Sequence, residues 1–406
     1  MVYVAQVDEK RTSPWTLDPD VTYLNHGGFG AAPAPVLAAQ DTYRRLFERN
    51  PVRFVLETYQ PALEIARNRL GEFLGAAPAG LVFVDNATSG VNSVLRSLEN
   101  RLRPGDEIVV TNHGYNACNN AAEVTAAMTG AVLVVVEIPF PLDDSDTVLA
   151  AITGAVTEHT RLVMVDHITS PTALRFPIER IVAALEPDIP VLVDGAHAPG
   201  MVPLALDDLG ASYVVGNCHK WMCAAKGAGY LWAREDRRDG LRHAVISHGY
   251  NGQWPGSTTT FHAQFDWVGT TDRSAWLTVP VAIDTVAAIH PDGWPGVMAA
   301  NHALVVAGRQ AVLATLDSDA PPAPEEMLGS MASLPLPDPA VPPDSLFDPL
   351  TTALRTNWSI EVPVFSWPES PRRLLRISAQ RYNDLSDYVR LGDALHAELR
   401  GRARLD

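Results

Sequence analysis

Residues 191–221, VLVDGAHAPGMVPLALDDLGASYVVGNCHKW, carry the pattern that decides the fold. Two β-branched runs, Val191–Val193 and Tyr213–Val215, each end in small and polar residues, and the segment between them is long enough for a crossover connection. Strand, crossover and strand in that order make the unit of a parallel sheet. The same rhythm extends outward through Leu81–Val84, Ile108–Thr111, Val132–Val136, Leu162–Val165 and Gly229–Trp232. Helical patterns alternate with these runs; Val91, Val94, Leu95 and Leu98, for example, share one face. The expected fold class is α/β. A mostly parallel seven-stranded sheet forms a large domain over residues 20–275, and a smaller α+β domain spans 276–406 with residues 1–19 packed on it. After residue 275 the alternation breaks, and Asp317–Pro349, rich in Pro, Ala and acidic residues, reads as a long surface connection. Ile360–Phe365 and Leu374–Ile377 read as strands. Asn383 or Asp384 caps a last helix whose Tyr388, Leu391, Leu395 and Leu399 share a face.

Composition bounds the function. The chain has 406 residues, 47% hydrophobic and 19% charged, enough apolar material for a sizeable core and too much for a disordered chain. No apolar run reaches the roughly 18 residues of a membrane span. The opening MVYVAQVDEKRTSP has charges where a signal peptide needs an apolar stretch, so a cytoplasmic protein is expected. Three cysteines, Cys118, Cys218 and Cys223, are too few for a disulfide framework. Lys and Arg number 31 against 47 Asp and Glu, a net charge of −16 that repels nucleic-acid backbones and anionic lipid, so neither is expected as a partner.

Ligands of open parallel sheets bind beyond the carboxyl ends of the strands, so the informative residues are those that follow each run. After Leu81–Val84 come Asp85-Asn86-Ala87-Thr88-Ser89-Gly90, a helix start suited to an anion, although Thr and Ser cap helices without any ligand. After Ile108–Thr111 come His113 and Tyr115, either of which could stack on a flat cofactor; a loop histidine bonded to backbone is the plainer alternative. Asp194 ends its strand with His197 three residues on. It could fix a protonated ring nitrogen or simply cap a helix. Lys220, between Cys218, His219, Trp221 and Met222, sits where burial would depress an amine pKa, unless its ammonium snorkels out. Cys218, Cys223 and His219 lack the second ligand pair of a zinc site, and no metal is expected. In combination, an anion site, an aromatic stacker, a carboxylate and a lysine at successive strand ends are the set that pyridoxal 5'-phosphate requires.

The chain resembles the fold-type-I pyridoxal phosphate enzymes of the class-V aminotransferase group, with the aspartate aminotransferase-like fold. The likeness runs from Tyr23-Leu-Asn-His-Gly-Gly-Phe-Gly30 to Arg376-Ile-Ser-Ala-Gln-Arg-Tyr-Asn383. Its most specific pieces, Asp194-Gly-Ala-His197 and Gly216-Asn-Cys-His-Lys-Trp221, are closest to the isopenicillin N epimerase-like branch. By that resemblance, Lys220 is the Schiff-base lysine, Asp194 pairs with the pyridine nitrogen and His197 bonds the phenolic oxygen. His113 or Tyr115 stacks on the ring. Ala87, Thr88, Ser89 and His219 bind phosphate, and Thr270 reaches in from a neighbouring subunit, which implies a homodimer. Arg376 grips the substrate α-carboxylate, and Asn25, His26 and Arg53 are further substrate contacts. Where the group often carries Asn, this chain has Ser170. A cysteine desulfurase would need a Cys shortly before Arg376, and none follows Cys223.

These residues lead to an amino acid labilised at Cα, with Lys220 as base. The expected reaction is β-elimination of the C–S bond of an S-substituted cysteine, in thiol or secondary metabolism. Isopenicillin N-type epimerisation is the alternative and requires a second acid such as His113 or Tyr115 on the opposite face. Decarboxylation coupled to oxidative deamination is a further outcome in this branch. Two rivals remain: a binding protein on an inactive scaffold, set against the joint presence of Lys220, Asp194 and Arg376, and a dinucleotide enzyme, set against the lack of a G-x-G-x-x-G between strand and helix.

Overall fold

The seven runs form one sheet in the computed structural model, which describes residues 13–252, 254–316, 320–339 and 348–401. Its strands are β1 (Leu81–Val84), β2 (Glu107–Thr111), β3 (Val132–Val136), β4 (Thr160–Asp166), β5 (Val191–Gly195), β6 (Tyr213–Asn217) and β7 (Gly229–Ala233), in the spatial order β1-β7-β6-β5-β4-β2-β3. Only β7 runs antiparallel to its neighbours. Alternate residues serve opposite faces, as a pleated strand requires. Leu81, Phe83, Val109, Val163 and Val193 belong to one buried cluster, and Val82, Val84, Ile108, Leu162, Leu192 and Val215 to the other. Helices α1 (Ala87–Leu98) and α2 (Asn116–Thr129) cover the second face through Val91, Val94, Leu95, Ala122 and Ala126. The parity that buries Leu162, Leu192 and Val215 on that face carries on to Asp166, Asp194 and Asn217 at the strand ends.

The C-terminal part has its own core. β8 (Met331–Leu336), β9 (Val364–Ser366) and β10 (Arg373–Ser378) form an antiparallel sheet with β10 in the middle. Helices α3 (Gly293–Thr315) and α4 (Leu385–Gly401) pack on it. The sequence expectation of a surface connection over 317–349 is therefore corrected: within it, β8 is a buried strand. Its Ser333 and Pro335 interrupt the apolar run, and pairing with β10 supplies the order that local pattern lacks. The single strand expected over 360–365 is two, Ile360–Glu361 and Val364–Ser366, parted at Val362-Pro363 because proline donates no ladder bond. Thr22–Tyr23 pairs in parallel with Ile360–Glu361, and Leu24 enters the small core. Of the N-terminal residues expected to pack there, 1–12 lie outside the described residues, and Trp15 packs edge-on against Tyr382.

The expected boundary at 275 precedes the point where the cores part. Trp276, Val279 and Val286 still pack in the large core, and α3 joins both, with Trp294 and Val297 in the first and Val305, Val312 and Leu313 in the second. By length and composition α3 is apolar enough to cross a membrane, yet these packing partners account for its character.

Candidate active site

A cavity of about 430 Å³ opens at the carboxyl ends of the strands. Its wall takes Ala87, Thr88 and Ser89 from the start of α1, Tyr115 from the start of α2, and Asp166 and Ser170 from the end of β4 and the turn beyond. Asp194 and His197 come from the end of β5, and Asn217, His219 and Lys220 from the end of β6. Gly229 in β7 permits this assembly: a Cβ there would lie 2.8 Å from Asn86 Cα, so only glycine lets β7 pass under the start of α1.

Hydrogen bonding fixes the protonation of the central pair. The Trp221 indole N–H donates to His197 Nδ1 at 3.3 Å, and an indole can only donate. Nδ1 therefore accepts, and a neutral His197 carries its proton on Nε2. That nitrogen is 3.1 Å from Lys220 Nζ, so the bond requires Lys220 to offer a lone pair as an uncharged amine. Burial acts in the same direction, followed by the charge of Arg376: the Lys220 pKa falls to about 8. Burial, then Lys220, holds His197 well below its usual value, so the imidazole stays neutral.

Asp194 is buried, and among the described residues no cation forms an ion pair with it. Its Oδ1 accepts the Ala196 N–H at 3.0 Å and its Oδ2 the Cys118 thiol at 3.2 Å. Burial raises its pKa against both bonds. Asp166 faces it in register on the neighbouring strand, and burial, then Asp194, pushes its pKa well up. Asp166 is absent from the sequence reading although it directly follows the run 162–165 and falls under the same strand-end rule. Asn217, also missed, accepts the Ala87 N–H at 2.8 Å, while Asn86 caps α1 by accepting the Ser89 N–H at 2.9 Å. Both secure a helix start whose Thr88 N–H has no partner among the described residues. His219 spends Nδ1 on the Ala228 carbonyl at 2.8 Å, and burial lowers its pKa to about 4.

Arg376, on β10, is buried without an acidic partner among the described residues. Its Nη1 donates to the Ser170 carbonyl at 2.7 Å and hydroxyl at 3.0 Å, its Nη2 to Asn25 Oδ1 at 3.5 Å, and its Nε is unsatisfied. Burial lowers its pKa to about 10. Ser170 thus joins the cavity wall to this guanidinium.

Arg376 and Asn25 are off the cavity wall but linked to it through Ser170, and four further expected residues stand elsewhere. His113 is fully buried, with Nδ1 at 2.6 Å from Thr172 Oγ1 and Nε2 at 3.0 Å from the Ile138 carbonyl, and Trp367 and Phe176 flank its ring. Those contacts keep it off the cavity wall, and the aromatic residue of that loop on the wall is Tyr115. His26 lies behind the lysine rather than in the cavity. Its Nε2 is 3.1 Å from the Lys220 carbonyl and its Nδ1 is 2.8 Å from the Tyr382 hydroxyl. Thr270 lines a separate cavity of about 470 Å³ with Tyr43, Phe47, Phe54 and Trp267. Arg53 is exposed and pairs with Glu57 at 2.7 Å. Within one chain neither Thr270 nor Arg53 reaches Lys220.

The donor set fits pyridoxal 5'-phosphate. A buried carboxylate without a cation suits a protonated ring nitrogen, an imidazole N–H suits a phenolic oxygen, an uncharged amine suits an aldehyde, and a helix start with a free N–H suits a phosphate. Comparison with known proteins agrees. The family model for class-V aminotransferases matches residues 22–290. Isopenicillin N epimerase of Amycolatopsis lactamdurans is 34% identical over 392 residues, covering 94% of this chain and 96% of that one. L-cysteine desulfhydrase of Arabidopsis thaliana is 28% identical over 404 residues, covering 92% and 87%. Among solved structures, the cystine C-S lyase C-DES in complex with its reaction product cysteine persulfide superposes with a TM-score of 0.76 at 20% identity, covering 93% of this chain and 98% of that one; at that identity the likeness concerns the fold.

Proposed function

The chain belongs to the class-V aminotransferase family, and from that membership we propose that it is a pyridoxal 5'-phosphate-dependent lyase that cleaves the C–S bond of an S-substituted cysteine. When bound, the cofactor supplies a ring that draws electrons from a bond at Cα of the amino acid. Ala87, Thr88, Ser89 and His219 hold its phosphate, Asp194 its ring nitrogen, His197 its phenolic oxygen and Tyr115 its ring face. Arg376, steadied by Ser170 and Asn25, takes the substrate carboxylate in a planar fork. Lys220, once free, takes the Cα proton and as an ammonium returns it to the departing sulfur. The thiol leaves, and the 2-aminoacrylate released with it takes up one water to give pyruvate and ammonia.

One observation favours the lyase reading over epimerisation: of the two groups expected to face each other across Cα, Lys220 is in the cavity and His113 is not. Lys220 is held there by His197, whereas His113 is committed to Thr172 and Ile138. β-Elimination needs one base; inversion at Cα needs a second acid opposite it. Tyr115, a phenol on the cavity wall, is the feature that favours isopenicillin N-type epimerisation as the second reading. In this proposal the enzyme works in the cytoplasm, in thiol or secondary metabolism. It is a homodimer in which Thr270 completes the neighbouring site.

Incubation with cysteine S-conjugates in deuterated water separates the readings. Thiol and pyruvate in equal amounts are expected. Deuterium at Cα with inversion and no fragmentation overturns the lyase assignment in favour of the epimerase.

A further inference from the structure

We infer that Trp221 is a positioning residue that locks His197 in the Nε2–H tautomer, so that the cavity always meets an imidazole N–H and never a bare imidazole nitrogen. The inference deepens the function proposed above, and its first test does not depend on that function.

An isolated neutral histidine interconverts between two tautomers, and which one a protein shows is set by the partner of the other nitrogen. For His197 that partner is the Trp221 indole, a group with one hydrogen to give and no lone pair to offer. The Nδ1–H form would bring two buried N–H groups face to face at 3.3 Å, an arrangement that leaves both donors unpaired. Escape by protonation is blocked, since burial holds His197 neutral. The indole cannot turn away either. Trp221 is buried among Ile168, Met201 and Met331, and the His26 ring lies against it at 4.8 Å. Gly200, at φ +84°, lies so close beneath the Trp221–Met222 peptide that a Cβ there would meet Trp221 C at 2.6 Å. The sequence places Trp221 beside Lys220, so one peptide positions the reactive amine and fixes the proton that faces it.

Two consequences follow for the cavity. Before the cofactor arrives, Nε2–H donates to the Lys220 lone pair and favours the uncharged, nucleophilic amine. After the lysine has been engaged, the same N–H is a fixed donor for the oxygen that takes its place, and no proton has to be rearranged.

The test is the 15N NMR spectrum of histidine-labelled protein, with His197 assigned by the signal lost in His197→Asn. In the cofactor-free parent, Nδ1 is expected to show the shift of an unprotonated nitrogen and Nε2 that of a proton-bearing one at about pH 9, above the Lys220 pKa of about 8, where the amine is uncharged. An Nδ1–H signal, or averaged shifts, overturns the inference whatever the enzyme's activity. In Trp221→Phe, which keeps the ring but lacks the N–H, the shifts are expected to average between tautomers. The visible band of the cofactor-loaded variant should then titrate about one pH unit higher, with kcat down about tenfold and KM within twofold of the parent. A folded Trp221→Phe protein with the parent's tautomer and titration also overturns it. Absence of a visible band in the loaded parent overturns the cofactor reading and leaves the tautomer result to stand or fall by the NMR spectrum.

Discussion

Lys220 lies in a cavity with two carboxyls and two imidazoles, and the outcome depends on which of them carries a proton. Desolvation wins at the amine: although Asp194 and Asp166 both favour its charged form, burial and Arg376 bring it to about 8. At Asp194 burial also wins and raises the pKa, although two donors, Cys118 and Ala196, oppose it; a cationic ring nitrogen is the partner that would hold the carboxylate ionised. Replacing it tests that role. Asp194→Asn should keep the fold and the substrate KM while kcat falls about 10- to 100-fold, because a charged hydrogen-bond partner contributes about 1.5–3 kcal/mol. Steady-state kinetics with a cysteine S-conjugate measure this, and unchanged turnover would move the electron sink's partner elsewhere. Asp194 was legible in the sequence because it directly follows a β-branched run, and Lys220 because it stands in the short polar segment after the next one. The choice between His113 and Tyr115 was not, since it is made by Thr172, Phe176 and Trp367, residues remote in sequence whose contacts no local pattern records.

Among the elements, α1 holds the anion end of the site. Its first N–H groups are shared out: Ala87 to Asn217, Ser89 to Asn86, and Thr88 left for a ligand. Asn217→Ala removes the tertiary bond, and a buried donor left without a partner costs about 1–3 kcal/mol. The dissociation constant for pyridoxal phosphate should therefore rise about five- to tenfold or more, measured by equilibrium dialysis with absorbance detection. A fall of a few degrees in thermal midpoint is expected with it, since Asn86 caps the Ser89 N–H and leaves that of Ala87 unpaired. The strands of the large sheet were readable because each has an apolar centre rich in β-branched or aromatic residues and is bounded by turn residues, as strands covered on both faces are. β8 was not readable: MASLPL carries neither a clean alternation nor a β-branched residue, and it is a strand only because Arg373–Ser378 lies beside it.

Across the whole molecule, buried neutral imidazoles set the acid limit of stability. Burial lowers His26 to about 3 and His113, His167, His219 and His262 to about 4. The unfolded chain binds protons on these rings below about pH 6.5 while the folded chain does not, so stability should fall as pH drops from 6.5 toward 4. Asp166 and Asp194, whose pKa values are raised, oppose this trend but are fewer. Denaturant titrations at pH 7.5, 6 and 5 should show a falling midpoint; a midpoint that holds or rises would mean that these rings ionise in the folded state. Helix α3, rooted in both cores by Trp294 and Val297 at one end and Val312 and Leu313 at the other, carries a mechanical consequence. It is an axle of about 34 Å common to both lobes. Twisting about its length leaves its ladder intact, whereas opening like a jaw would have to bend it. Any motion that brings Arg376 toward or away from Lys220 is therefore expected to be a screw-like rotation of small amplitude.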